Sequence, residues 1–419
     1  MSKAVWIKHA SQLVTLASEH RGPRTKEAMS ELSIIEDGSI WLENEIIQAF
    51  GTTDELQIKY ADRIDSAEII DASGKLVTPG LVDPHTHVVY GGSREREFEL
   101  RLEGATYMDI MNAGGGIHAT SRMTREATEE EIFVQTEKRL DSFLAHGVTS
   151  IEGKSGYGLN LETEIKQLRV MRRLQQEHPI DIVPTFMGAH AVPSDFKGKE
   201  DQYVDLVVNE MLPRVAHDKL AKFNDVFCEV GVFTPEQSKR ILEAGKTLGL
   251  TPKIHADEIE SYGGAELAAE VGAISAEHLL KVSDMGIAAM AKKGVIACLL
   301  PATALYLRET AARGREMIDA GVPVAISTDC NPGSSPTTSM PLVMNLACIS
   351  MRLTPAESLC AATYNAACAI EIEDKVGSLE VGKQADIVLW NVSNYQQLQY
   401  LFGVNHVNSV WKKGVKVVG

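Results

Sequence analysis

Two histidines two residues apart, His85 and His87, follow the apolar pair Leu81-Val82. Side chains alternate between faces along an extended strand, so His85 and His87 share a face and can bind one metal ion together. With 12 histidines in 419 residues, chance alone gives about a third of such a pair, so its place at the end of an apolar run matters. Four more reactive residues close apolar runs: His190 after Gly188-Ala189, His255 after Ile254, His278 after Ala276-Glu277, and Asp329 after Ser327-Thr328. Each has a structural reading by itself, as a hydrogen-bonded histidine or a capping aspartate. Jointly, five histidines and an aspartate at run ends point to one site. Imidazoles and a carboxylate suit zinc or ferrous iron, with positions left for water. Such a cation makes water nucleophilic near neutral pH.

The elements that must gather these residues are eight short strands: Leu81–His87, Val148–Lys154, Asp181–His190, Val226–Phe233, Pro252–Ala256, Ile274–His278, Val295–Leu300 and Val322–Asp329. Amphipathic stretches lie between many of them, such as 129–146, 162–177 and 235–248. The last opens on Thr234-Pro235, a capping residue followed by proline at the first helical position. Eight strand-then-helix units predict a (β/α)8 barrel, whose chemistry sits at the C-terminal ends of its strands. Both chain ends read instead as short strands, at 4–7, 33–36, 39–42, 45–50, 385–390, 407–411 and 415–418, with turns at Asp37-Gly38 and Lys412-Lys413-Gly414. They predict a small β-sandwich domain built from residues 1–75 and 375–419 around a barrel at 76–374.

A chain with 44% apolar residues can bury a large core, and a net charge of −16 disfavours binding to nucleic-acid phosphates. No secretory signal opens the sequence and no run approaches a membrane span. None of the six cysteines forms a Cys-x-x-Cys pair, which fits free thiols and a cytoplasmic protein.

The stretch Leu76-Val77-Thr78-Pro79-Gly80-Leu81-Val82-Asp83-Pro84-His85-Thr86-His87 resembles the first-strand motif of the amidohydrolase superfamily. Residues 377–388 are similar to the segment that re-enters its small β-domain, so the resemblance spans nearly the whole chain. Residues 90–98, 114–117, 152–159, 188–193, 255–258 and 327–334 look most like the branch that opens an imidazolone ring in histidine degradation. The resemblance implies hydrolysis of 4-imidazolone-5-propanoate, a small anionic substrate, to N-formimidoyl-L-glutamate. It implies one divalent metal ion per subunit, Zn2+ or Fe2+/Fe3+, and a homodimer. By motif the metal ligands carry over to His85, His87, His255 and Asp329. Substrate contacts carry over to Arg94, Tyr157, His190, Glu258, Asn331, Gly333 and Ser334.

Opening a cyclic amide needs a proton acceptor for the attacking water, a stabilised oxyanion and a proton for the leaving nitrogen. Asp329 and Glu258 are both candidates for the acceptor, and the residues alone do not choose. His278 is placed to polarise the substrate oxygen or orient the water, and His190 to donate to the ring carbonyl or the oxyanion. Arg94 suits the propanoate, although Glu95, Glu97 or Glu99 offer it an ion pair. Tyr157 adds a hydroxyl, with Tyr107 a weaker candidate, and Gly114-Gly115-Gly116 reads as a turn or a lid. Binuclear relatives carry a carboxylated lysine on the fourth strand. Lys154 ends the second strand instead, which favours one metal, and Glu229 reads as structural. A ring deaminase shares the histidines and aspartate; Arg94 and Tyr157 argue against it.

Overall fold

The computed structural model describes residues 4–19, 21–104 and 115–419. Among these residues, sixteen strands form two sheets. Those of the first sheet are β1 (Val5–Val14), β2 (Ile34–Glu43), β3 (Ile46–Thr52), β4 (Glu68–Asp71) and β5 (Leu76–Pro79) from one chain end. From the other come β14 (Ile387–Trp390), β15 (Val407–Lys412) and β16 (Val415–Val418). Between them run the eight parallel strands of the second sheet: β6 (Leu81–Asp83), β7 (Val148–Lys154), β8 (Asp181–Ala189), β9 (Phe223–Cys228), β10 (Thr251–Ala256), β11 (Ser275–His278), β12 (Ile296–Leu299) and β13 (Val324–Ile326).

The eight expected barrel strands are all present, with three boundaries corrected; the last covers Val324–Ile326 rather than Val322–Asp329, so Asp329 lies in the segment beyond it. The first stops at Asp83, so His85 and His87 lie in the extended segment beyond it. The fourth runs over Phe223–Cys228 rather than Val226–Phe233, which brings Asp225 inside the barrel. The helix start at Thr234 forms as expected, with a capping box to Gln237 and Pro235 at the first position.

Among the described residues β6 and β13 share no ladder, and side chains close the barrel. Asp83 accepts from the hydroxyls of Ser327 and Thr328, the latter at 2.6 Å, and Ser327 also donates to His85 O at 2.6 Å. The backbone N–H of His87 donates to Cys330 O at 3.0 Å. The Asp83 carboxylate thus stands in for a strand pair, and burial pushes it up to about 6 against these hydrogen bonds.

The terminal strands form one hydrogen-bonded sheet, in the order β16-β15-β14-β5-β1-β2-β3. β1 is shared: Val5–Lys8 pair with β4 and Gln12–Leu13 with β5. A register shift between Ile7 and Ala10, with His9 at φ 60, bends the strand between its two partners. Val5, Ile7, Ile40, Leu42, Val77, Ile387 and Leu389 pack its interior.

An ionic group joins this sheet to the barrel. Lys412 Nζ lies 2.6 Å from both Asp181 of β8 and Asp386. Burial works against the Asp181 carboxylate, but Lys412, a Gln384 hydrogen bond and Lys413 together hold the pKa down at about 2. A carboxyl with a lowered folded pKa stabilises the protein above its unfolded value and loses that contribution as pH falls through the folded one. The thermal midpoint is therefore expected to drop between about pH 4 and pH 2. Lys412→Met should flatten that limb and cost about 3 kcal/mol at neutral pH, because it strands buried Asp386. An acid limb identical to that of the wild type would contradict this.

Candidate metal centre and substrate site

His85, His87, His255 and Asp329 meet at the C-terminal mouth of the barrel, all buried. His87 Nε2 lies 3.2 Å from His255 Nε2. Asp329 Oδ1 lies 3.4 Å from His85 Nε2 and 3.8 Å from His87 Nε2. Nitrogens about 2.0–2.1 Å from a tetrahedral zinc sit about 3.3 Å apart, so these separations match the edges of a coordination polyhedron. Buried polar atoms normally have partners. Here both His85 nitrogens and His87 Nδ1 make no hydrogen bond. Burial drives the pKa of His85, His87 and His255 well down, which leaves neutral imidazoles with lone pairs to donate. Burial also pushes Asp329 up to about 7, opposed by the Thr303 hydroxyl on Oδ2 at 2.7 Å. A carboxyl raised this way, facing orphaned nitrogens, fits a cation, and so does the donor set.

Backbone conformation brings in side chains that strand parity would turn away. His278 follows inward-facing Glu277, yet its φ of 71 swings the ring to 5.1 Å from His255 and 5.6 Å from His85. Asp329 has φ 51. Such left-handed residues cost about 1–3 kcal/mol each and concentrate at functional sites.

Behind the ligands stand carboxylates that the sequence alone does not assign. Asp225 lies 3.1 Å from His255 Nδ1, and Glu277 3.1 Å from His85 Nδ1. The Asp225 hydrogen bond orients the His255 imidazole and fixes its tautomer, whereas Glu277 meets His85 as an ionic neighbour only. Glu152 and Lys154 on β7, Lys253 and His255 on β10, and Ser275 and Glu277 on β11 are each two residues apart, hence on one strand face. That polar alternation inside otherwise apolar strands was the signal to follow. Lys154 is buried against three carboxylates, as an ammonium rather than a free amine.

On the open side, the His190 ring stacks on His87 at 4.6 Å and 15°. Its Nδ1 lies 3.1 Å from Gly156 O. A carbonyl only accepts, so Nδ1 carries the proton, and burial holds the ring neutral with a pKa near 4. Nε2 is then an acceptor, which corrects the expected donor role. Tyr157 lies 5.4 Å from His190 and 5.8 Å from His87 between ring centroids. Its loop is shaped by Glu164, which accepts from the N–H groups of Gly156, Gly158 and Leu159.

Arg94 pairs with Glu97 through Nε at 2.9 Å and Nη2 at 2.7 Å, so the expected ion pair exists. The same guanidinium packs on Gly333, where a Cβ would displace Nη1 from its present position. Asn331 accepts from the N–H groups of Gly333 and Ser334 and donates to Asp329 O and Ser334 Oγ. Asn331 and Ser334 therefore organise the loop beneath Arg94. Glu258 lies 3.5 Å from His278 Nδ1. Burial, then Asp329 and Glu229, push it up to about 8. Glu229 accepts from the N–H groups of Glu258 and Ile259, so it positions that loop, the structural role expected of it. Tyr107 and Gly114 lie outside the described residues; Gly116, at φ 74, precedes the helix Ile117–Glu126.

The chain belongs to the amidohydrolase family, whose model matches residues 76–417. It is 64% identical over 418 residues to an imidazolonepropionase of Brevibacillus brevis, covering 100% of this chain and 99% of that one. It is 62% identical to an imidazolonepropionase of Geobacillus kaustophilus, covering 99% and 98%. Among solved structures, the fold is similar to an adenosine deaminase from Xanthomonas campestris with bound zinc, with TM-score 0.71 at 20% identity over 99% of this chain and 92% of the other. It is also similar to E. coli guanine deaminase, with TM-score 0.73 at 14% identity over 100% and 99%.

Proposed function

We infer that this chain hydrolyses imidazolone propionate in histidine degradation. It opens the cyclic amide of 4-imidazolone-5-propanoate to give N-formimidoyl-L-glutamate. The observation that carries this reading is the buried convergence of His85, His87, His255 and Asp329, in a chain 64% identical throughout to an imidazolonepropionase. These four residues would hold one divalent ion, zinc or iron. The ion's contribution is Lewis acidity, which makes water a nucleophile near neutral pH.

The chain's own groups supply the remaining steps. Asp329 commits Oδ2 to Thr303 and turns Oδ1 toward His85 and His87, where it receives the water's proton. Glu258 keeps its proton near neutrality and delivers it to the leaving ring nitrogen. His278 orients Glu258, and His190 Nε2 accepts an N–H of the bound ring. Arg94, with Glu97 on one edge of its fork, meets the propanoate near Tyr157.

Incubation of metal-loaded protein with fresh 4-imidazolone-5-propanoate is expected to yield formimidoyl-glutamate by mass spectrometry. Release of ammonia without it would replace this reading with ring deamination. Arg94→Met should raise KM about 10–100-fold and change kcat little, as for loss of a charged hydrogen bond; an unchanged KM would remove Arg94 from propanoate recognition. The unpaired cysteines suit a cytoplasmic location. The homodimer rests on family resemblance and is measured by sedimentation.

A further inference from the structure

Five ionisable side chains with no exposed surface pack inside the barrel beneath the histidine cluster: Glu152, Lys154, Asp225, Lys253 and Glu277. Lys154 Nζ lies 2.8 Å from Glu152 Oε2, 2.7 Å from Asp225 Oδ2 and 3.3 Å from Glu277 Oε2. Lys253 Nζ lies 3.1 Å from Glu152 Oε1 and 3.2 Å from Glu277 Oε1, and donates to Pro84 O. Three carboxylates face two ammonium groups, so an excess negative charge remains for His85 and His255. The two groups share a wall. Glu277 Oε2 is 3.3 Å from Lys154 Nζ, 3.1 Å from His85 Nδ1 and 3.6 Å from His255 Nδ1.

The cage has the composition of a cation site. Oxygens of Glu152, Asp225 and Glu277 converge within 3.3 Å of one point, the Lys154 Nζ. Glu152 Oε2 is fully buried and makes no hydrogen bond, although the ammonium is its ionic neighbour. Oxygen-rich sets of this kind favour hard divalent ions. Buried carboxylates in this number need compensating positive charge, because desolvation costs several kcal/mol per ion. An ammonium meets that need with three N–H groups on a compact point charge. Its covalent tether gives it an advantage over any ion from solution.

We propose that the Lys154 ammonium is a built-in cation filling a second cation position beside the metal centre, and that it keeps that centre mononuclear. The proposal rests on the reading that His85, His87, His255 and Asp329 hold a metal. The lysine at the end of the second strand then replaces an ion instead of bridging two.

The test counts metal. Chelator-stripped protein is dialysed against millimolar Mn2+, washed, and measured for manganese per chain and for thermal midpoint. Wild type and Lys154→Arg are expected to hold one ion. Lys154→Ala, with its cage emptied of ammonium, is expected to hold two and to gain more thermal stability from Mn2+ than wild type does. Two ions in wild type, or one in folded Lys154→Ala, overturns the proposal. No ion in wild type removes the metal reading itself and the proposal with it, a result distinct from one ion in each. If Lys154→Ala does not fold with or without Mn2+, Lys154→Ala combined with Glu152→Gln is counted instead, since it removes one charge of each sign. Two ions there support the proposal and one overturns it.

Discussion

His255→Ala is expected to lose most of its bound metal and to fall at least about a thousand-fold in turnover. His255 supplies Nε2 to the cluster, 3.2 Å from His87 Nε2, while its Nδ1 faces Asp225 at 3.1 Å. Alanine removes the donor and leaves Asp225 facing a void with Lys154 as its remaining close charge. The chain should still fold, because the packed interior of the barrel and the terminal sheet do not depend on that ring. Two measurements check this together: metal content after equilibrium dialysis, and rate with excess zinc or iron supplied. Wild type stripped by a chelator should recover on addition of metal, whereas the variant should not. A variant with a full equivalent of metal and a rate near wild type would dismantle the proposed ligand set. His278→Ala is the control, because that ring is assigned to orient Glu258: it should keep its metal while slowing.

Glu258→Gln carries the second large effect. The loss expected in kcat is about 100- to 10,000-fold, with KM changed little, as for removal of a general acid. Burial and the neighbouring carboxylates Asp329 and Glu229 hold Glu258 protonated near neutral pH, with a pKa pushed up to about 8. Glutamine mimics that neutral form in shape and hydrogen bonding, so stability near pH 7 should be unchanged. A rate effect without a stability effect distinguishes proton delivery from scaffolding. The pH profile gives a second reading. The acid form donates, so the wild-type rate should decline as pH rises through about 8, and the residual rate of Glu258→Gln should lack that limb. If kcat falls less than about fivefold, the proton comes from elsewhere, and Asp329 returning the water's proton becomes the simplest source.

Much of this arrangement was legible in the sequence because the reactive residues close apolar runs, and a parallel barrel gathers strand ends. Strand order brings five histidines and Asp329 to one mouth, but the choice of His85, His87, His255 and Asp329 among them rests on the family motif, and Asp329 reaches the site through a left-handed backbone beyond β13. Other features depend on information that periodicity does not carry. Asp225 escapes notice because the apolar residues after it, Val226 and Phe227, suggest a later strand start, whereas pairing with β8 begins at Phe223. Glu277 is hidden beside His278: by alternation only one of them should face inward, and the left-handed turn at His278 lets both contribute. The donor expected at His190 becomes an acceptor through a single bond to a carbonyl 34 residues away. At the chain ends the strands expected at 33–36 and 39–42 are one, Ile34–Glu43, with Gly38 inside its ladder; β4 and β5 are not anticipated, and the bend in β1 that joins the sheet is set by tertiary pairing.

The seam closed by Asp83 bears on how the protein is made. His85 and His87 leave the ribosome early, whereas Ser327, 242 residues after His85, and Asp329 beyond it come late. Until the eighth strand emerges, Asp83 has no hydroxyls to receive, the barrel stays open, and the histidines lack the carboxylate that completes their set. A nascent chain in that state offers three imidazoles without a fixed geometry, a weak and unselective trap for whichever cation is abundant. On the proposed ligand set, tight metal binding would require the first and last strands to have met, so a bound ion would report that the barrel has closed.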